Sequence, residues 1–511
     1  MRDQLALLPG YLTAHLQLTL LALLVGIAFS VPVGVLVSRR RWLDQPVLGA
    51  ATIIQTIPSL ALLAIMVPVL AAMGFRSIGF LPAFIGLTLY SILPILRNTV
   101  TGLAGVDRAV IEAAQGVGMT PGQCLRRIEL PLALPIILAG IRTSAVLTVG
   151  VATLSTPVGA PSLGNYIFSG LQTRNLTAVL VGCIAAAVLA LCLDGLVRAL
   201  GSAIVERKTA RAAIVLTVFG LLYLYTGASV VQEFRARDVG RVIVGAKTFT
   251  EQYILSEILA GQITGVTGVA TDVVSSLGST VAFDALRAGE IDVYVDYSGT
   301  IWATIMNRAG AGAGRPGKDD VLGDVSRFLR DRDGIEVVGT LGFENAYALA
   351  MRRQQAEASG IRSIADLSRH APRLVMGADY EFFGRQEWTA VRDAYALAFS
   401  AQRTMDPSLM YQAVASGQVD VISAFSTDGR IAAFDLLVLE DQRGAIPPYD
   451  AIILAGPRLL RERPDAVAAL RQLAGTIDAE RMRAMNLAVD QQGANSAAVA
   501  EAFLEELQGR R

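Results

Sequence analysis

The sequence predicts a chain of two domains: an all-α, six-helix transmembrane domain followed by an α/β domain of two lobes. Three observations predict this. The 511 residues exceed what one compact domain usually holds. Long apolar runs fill the first 230 residues and then stop, and from about residue 241 short apolar segments alternate with helical ones in a βα pattern. Charge divides at the same place. Residues 1–240 hold seventeen Lys/Arg against nine Asp/Glu, giving +8, and residues 241–511 hold twenty-seven against thirty-five, giving −8. The domains read as 1–230, a short charged linker at 231–240, and 241–511.

The composition, 53% hydrophobic and 17% charged, is that of a membrane protein. The acidic second half is not that of a nucleic-acid binder, so lipid and no nucleic acid is the expected surrounding. Each span needs about 20 apolar residues. Runs at 12–37, 47–73, 78–96, 134–155, 176–197 and 212–230 meet that length. The first lacks a basic leading segment and is followed by further spans, so it reads as a helix that stays and not as a cleaved signal. Pro58 and Pro68 inside the second run suit a helix bundle, where neighbours bond the freed backbone groups.

Lys and Arg placement sets the orientation. Arg39, Arg40 and Arg41 follow the first span, Arg97, Arg108, Arg126 and Arg127 lie between the third and fourth, and Arg198, Arg207, Lys208 and Arg211 follow the fifth. The alternate loops hold little beyond Arg76 and Arg174, with Arg2 at the start. The N-terminus is therefore expected outside, the loop before the fourth span in the cytoplasm, and the second domain outside. The glycine-bearing loop 157–172 falls outside on this topology.

The polar stretch 112–131 interrupts the membrane half. Glu112, Ala113 and Ala114 are expected to open a short helix, Gly118 to end it, and Pro121 to block its continuation. Glu112-Ala113-Ala114, three residues, Gly118, nine residues, then Ile128-x-Leu130-Pro131 resembles the signature loop of the permease subunits of bacterial ABC importers. The resemblance implies a coupling helix, with Glu112, Ala113, Ala114 and Gly118 seated in a cleft of a separate cytoplasmic ATPase subunit. One coupling loop per chain, with ATPases that work in pairs, implies a homodimer of this chain.

Beyond residue 241, strands are expected at 242–245, 270–274 and 291–297, with helices at 249–263, 280–287 and 298–307. A second unit has strands at 373–377 and 419–423 with helices at 386–399 and 408–416. The sheets should be largely parallel, with 451–455 crossing back and helices at 464–474 and 478–489 packing on the first unit. This is a two-lobed, hinge-bending binding domain, lobe 1 at 241–345 and 451–511 and lobe 2 at 346–450, with its ligand beyond the carboxyl ends of the strands. Cys124, Cys183 and Cys192 all precede it, so it holds no disulfide, and with His15 and His370 they make no metal-ligand spacing.

Lys247-Thr248-Phe249-Thr250-Glu251-Gln252, Asp296-Tyr297-Ser298-Gly299-Thr300, Glu381-Phe382-Phe383-Gly384-Arg385 and Ser426-Thr427-Asp428-Gly429 resemble motifs of the glycine betaine/carnitine/choline-type binding proteins, a family that includes ergothioneine binders. The two resemblances together imply an ABC permease fused to a type II periplasmic-binding-protein-like domain, multi-pass in the cell inner membrane. A quaternary ammonium has no proton to donate and is held by charge, apolar contact and aromatic faces. Tyr297, Tyr347, Phe382 and Phe425 are the expected cage, with Phe249 and Phe383 in reserve. Ser279 opens a helix whose amides suit a carboxylate, and Arg385 could pair with it. Gln252, Thr300, Asn345 and Thr427 are expected hydrogen bonders. Asp296 and Asp428 either attract the cation or cap helices.

Residues 312–318 mimic a phosphate-binding loop, but Asp319 stands where a hydroxyl is required and no buried strand precedes it, so a surface loop is expected. No other ATP motif occurs, and no cofactor is expected in this chain. A betaine sensor and a membrane enzyme are the rival functions. A sensor needs no ATPase dock, and no nucleophile–base pair supports an enzyme.

Overall fold

The computed structural model describes residues 2–173, 175–237, 240–308 and 317–509. The phosphate-loop mimic lies largely outside them. Lys318, which is described, bonds Glu344 at 2.8 Å and Asp450 at 2.6 Å. The chain divides into two compact units, one of long helices and one α/β unit beginning at Gly240.

In the helical unit α1 is Arg2–Arg39, α2 Asp44–Thr56, α3 Ser59–Ala72 and α4 Phe80–Ala104. Then follow α5 Arg108–Gly116, α6 Pro121–Cys124, a π-helical turn Leu125–Glu129, α7 Leu130–Ala152, α8 Gly164–Gln172, α9 Leu176–Val205 and α10 Thr209–Arg237. Among the described residues five helices are long and apolar enough to cross a membrane, and α2 with α3 makes a sixth span if that pair counts as one. That pair corrects the expectation of one continuous second span. The two helices meet at 97°. Pro58 offers no N–H, and Ile57 before it is driven extended, with ψ 127°. The charged connection expected at 231–240 is helical as far as Arg237.

Glycines set the spacing of α1, α4 and α7. A Cβ on Gly34 would lie 2.6 Å from the Thr99 side chain, and one on Gly140 would lie 2.7 Å from the Pro94 carbonyl oxygen. Close backbone approach of this kind holds helices together where apolar burial offers no drive. Gly140→Val is expected to destabilise the helical unit by about 1–3 kcal/mol, because a backbone carbonyl cannot yield. Thermal unfolding in detergent measures this, and an unchanged midpoint would refute it.

The stretch expected to begin a helix at Glu112 is already helical there. Helix α5 starts at Arg108, and Asp107 caps it by accepting from the Ala109 amide at 2.9 Å. Glu-Ala-Ala is therefore mid-helix. Ala114 faces inward, whereas Glu112, Ala113, Val110 and Val117 are exposed. Gly118 carries φ +86°, the left-handed conformation that follows a helix end. Thr120 and Gln123 form a capping box around Pro121, which starts α6.

The α/β unit holds two five-stranded sheets. The strands are β1 Val242–Lys247, β2 Thr271–Leu277, β3 Val293–Tyr297, β4 Glu336–Glu344, β5 Tyr347–Arg352, β6 Val375–Ala378, β7 Ala401–Thr404, β8 Val421–Phe425, β9 Leu436–Val438 and β10 Asp450–Ala455. Their orders are β2-β1-β3-β10-β4 and β7-β6-β8-β5-β9. The sheets are mixed, which corrects the expectation of largely parallel ones. Strand β10 runs antiparallel to β3 and β4, and β5 antiparallel to β8 and β9. The chain crosses between sheets at 345–346 and returns before β10, and each crossing reverses strand direction. Helix α11, Thr250–Thr267, follows β1, and α12, Ser279–Arg287, follows β2. The helices Pro464–Arg471, Ala479–Asp490 and Ser496–Gly509 pack on α11, within the first sheet's lobe.

Candidate functional site

A cavity of about 290 Å³ opens where the carboxyl ends of β1, β3, β6 and β8 converge with the first turns of α11 and α12 and the β4–β5 crossing. Strand ends and helix starts leave backbone groups and side chains pointing into a cleft, which is why ligands gather there. Ten of the fourteen predicted residues line it: Phe249, Ser279, Tyr297, Thr300, Asn345, Tyr347, Arg385, Phe425, Thr427 and Asp428.

Tyr347 centres one aromatic group. Its ring lies 4.9 Å from Phe425 and 6.2 Å from Tyr449, edge-on to the latter. Phe249 and Tyr297 stack at 6.2 Å as a second group. Four predicted residues do not line the cavity. Phe382 is fully buried 5.0 Å behind Tyr347, and the reserve Phe383 packs on Trp388, so both buttress the cage instead of forming it. Gln252 is buried beside Tyr297, donating to its hydroxyl at 3.0 Å. Asp296 does attract a cation, but the cation is the chain's own Lys247, which also lies over the Tyr297 ring at 5.4 Å. Asp428 likewise pairs with Arg430. Arg385 is held by Glu381 at 2.9 Å and Glu387 at 3.2 Å and lies over the Tyr347 ring.

The residue that sequence reasoning missed is Glu251. It sits in the first turn of α11, where the helix dipole favours an anion. One carboxylate oxygen accepts from the Tyr297 hydroxyl at 2.5 Å and the Asn345 amide at 2.9 Å, the other from the Thr427 hydroxyl at 2.5 Å and the Asn486 amide at 3.2 Å. Burial pushes its carboxyl above the usual range by more than these four bonds pull it back. Its presence inside the quoted motif Lys247–Gln252, on the first turn after a strand end, was the available signal. Asp379 was missed too. One of its oxygens accepts from the Glu381 and Phe382 amides at 2.9 Å, and the other has no partner among the described residues. Burial raises this carboxyl as well.

Residues 240–506 match the family described as the substrate binding domain of ABC-type glycine betaine transport systems, and residues 26–206 match the binding-protein-dependent transport system inner membrane component. The chain belongs to the glycine betaine-type ABC importer family. An ergothioneine transport permease/ergothioneine binding protein of Helicobacter pylori is 30% identical over 502 residues, covering 94% of this chain and 87% of the relative. A choline transport system permease of Bacillus subtilis is 40% identical over 200 residues, 39% of this chain and 87% of the relative. An osmoprotectant import permease of Salmonella typhimurium is 43% identical over 195 residues, 37% of this chain and 90% of the relative. The glycine betaine-type importer chain is thus a multi-pass inner-membrane transport subunit, a permease fused to its substrate-binding domain. A subunit of this family implies an ATPase partner and a small ligand.

Proposed function

We propose that the α/β unit captures a trimethylammonium compound outside the membrane and presents it to the helical unit. In this reading the helical unit works as a homodimer, docked through the exposed Glu112 and Ala113 of α5 and the Gly118 turn on a separate cytoplasmic ATPase subunit. The observation that carries the ligand class is charge arrangement. Lys247, Arg385 and Arg430, the cationic side chains lining the cavity among the described residues, are each paired to a carboxylate of the chain. Tyr347 and Phe425 line one cavity with Glu251 and with Asp379, one of whose oxygens has no partner among the described residues. Such a lining attracts a cation that needs no hydrogen bond. The excess of Arg in alternate loops supports the binding unit's placement outside.

Calorimetric titration of the whole chain in detergent with glycine betaine, carnitine, choline and ergothioneine tests this and ranks the ligands. Ergothioneine stands as the second reading, since the relative named for it spans both units at 30% identity. Choline should bind and its uncharged carbon analogue, 3,3-dimethylbutanol, should not; equal affinity would remove the cation cage. A bound cation favours the ionised form of Asp379. Binding should therefore release a proton in the acid range above 3.8, and affinity should rise with pH through that range. Asp379→Asn should flatten this dependence, and an unaltered pH profile would exclude Asp379 from the site.

A further inference from the structure

We propose that Arg39 and Glu129 form a fixed tie that hands movement of the ATPase-docking loop to the first transmembrane helix. The inference rests on the docking reading above and adds the route by which force leaves the loop.

The docking loop has two covalent anchors, α4 through residues 105–107 and α7 through the turn 125–129. Neither is α1. Val31 and Val35 of α1 share an apolar cluster with Val106, Leu125 and Leu130, and the polar link to α1 is an ion pair. Glu129 occupies the unspecified position of Ile128-x-Leu130-Pro131, at the threshold of an apolar helix, where a carboxylate is costly unless paired. It is 4% exposed. One terminal nitrogen of Arg39 donates to both of its oxygens, at 2.6 and 2.8 Å. Arg39 lies in the last turn of α1, where the helix dipole favours a cation.

The local backbone serves this pair. Leu125–Glu129 is π-helical, with the Leu130 amide reaching back to the Leu125 carbonyl. A π turn inserts extra rotation into a helix and re-aims the side chains that follow it, and such turns recur at functional positions. On the other side, α1 is seated along α4: Gly26 rests on Ser91 and Gly34 on Thr99, too close for any side chain. A shift imposed at Arg39 is therefore passed along a packed helix pair and not lost in a loose end. An apolar pair would fasten two helices without the desolvation penalty of a buried charge. Direction and fixed geometry are what the ion pair adds.

The test uses the chain assembled with its ATPase subunit in proteoliposomes. Arg39→Glu and Glu129→Arg should each keep the ATPase bound and hydrolysing within about twofold of normal, and should lower substrate moved per ATP by about tenfold or more. The double swap, Arg39→Glu with Glu129→Arg, should restore that ratio to within about threefold, which a merely structural defect would not do. Glu129→Gln, which keeps the shape, should lower the ratio by about three- to tenfold and decides the matter if the reversals fail to assemble. A normal ratio in Glu129→Gln overturns the tie, as does a double swap that assembles and transports no better than either reversal. Glu112→Lys in the same preparation reports on docking alone. If it leaves ATPase capture and uptake unchanged, the docking reading fails, whatever the Arg39 and Glu129 variants show.

Discussion

Replacement of Glu251 by Ala is expected to have the largest effect on ligand capture, weakening it about a hundredfold or more and destabilising the α/β unit by about 3 kcal/mol or more. The size follows from what the carboxylate holds. Its donors come from four places in the chain: Tyr297 at the end of β3, Asn345 at the crossing between sheets, Thr427 after β8 and Asn486 on the helix Ala479–Asp490. Asn486 also donates to the Thr427 carbonyl at 2.9 Å, so these partners are locked to one another as well. Removing the acceptor strands all four donors in a buried site, where each unmade bond is expensive. Glu251→Gln should fall between, since its amide keeps one acceptor but turns a donor toward donors. Thermal unfolding and calorimetry on the whole chain measure both effects. A dissociation constant within threefold of normal in Glu251→Ala would remove this network from the site. As pH rises through the raised value of Glu251, the buried ion forms at a cost to folding. Stability linked to this group is therefore present at low pH and lost as pH increases.

How much of this was legible in the sequence depended on whether the signal was local. The apolar runs predicted the membrane helices because span length is a property of contiguous residues. The one departure, the 97° break between α2 and α3, was also local and announced by Pro58, but a proline in a membrane run is as often tolerated as breaking. The strand-end motifs placed Phe249, Tyr297 and Thr427 at the cavity. Rank within the motif was not legible. Asp296 and Asp428 read equally as cation binders or helix caps; Lys247 and Arg430 pair with them, and Asp428 also accepts from the Arg430 amide at 2.9 Å where a helical turn begins. The Lys247–Asp296 pair joins β1 to β3 and cannot be read without the sheet. Phe382 failed for the same reason: its turn position suggested exposure, and only the packing of Tyr347 and Trp388 around it shows a core residue. Strands β4 and β5, which carry the chain between the lobes, went unpredicted. Their run holds Gly342 at φ +115°, packed against the Ile477 carbonyl, and so lacks clean alternation.

Glu112→Lys is expected to abolish transport while leaving ligand binding within experimental error of normal. The structure makes this a clean experiment. Glu112 is exposed on the middle of α5, and its partner within the chain is Arg108, one turn back at 3.6 Å with both side chains in solvent. An exposed pair of that kind contributes a fraction of a kcal/mol, so its loss cannot unfold the helix. The helix is fixed instead by the Asp107 cap and by Ala114, which faces inward. What the substitution alters is the charge at an exposed position of a segment that also leaves the apolar side chains of Val110 and Val117 in solvent. Apolar groups held in solvent on a rigid, capped helix mark a contact surface more than a lipid-facing or core one. Reversing a charge inside a docked interface typically removes well over tenfold in affinity, enough to empty the complex at working concentrations. Co-purification of the ATPase with the Lys variant, together with uptake in vesicles, measures the outcome. Full uptake with the ATPase still bound would mean that α5 presents this face to something other than the motor.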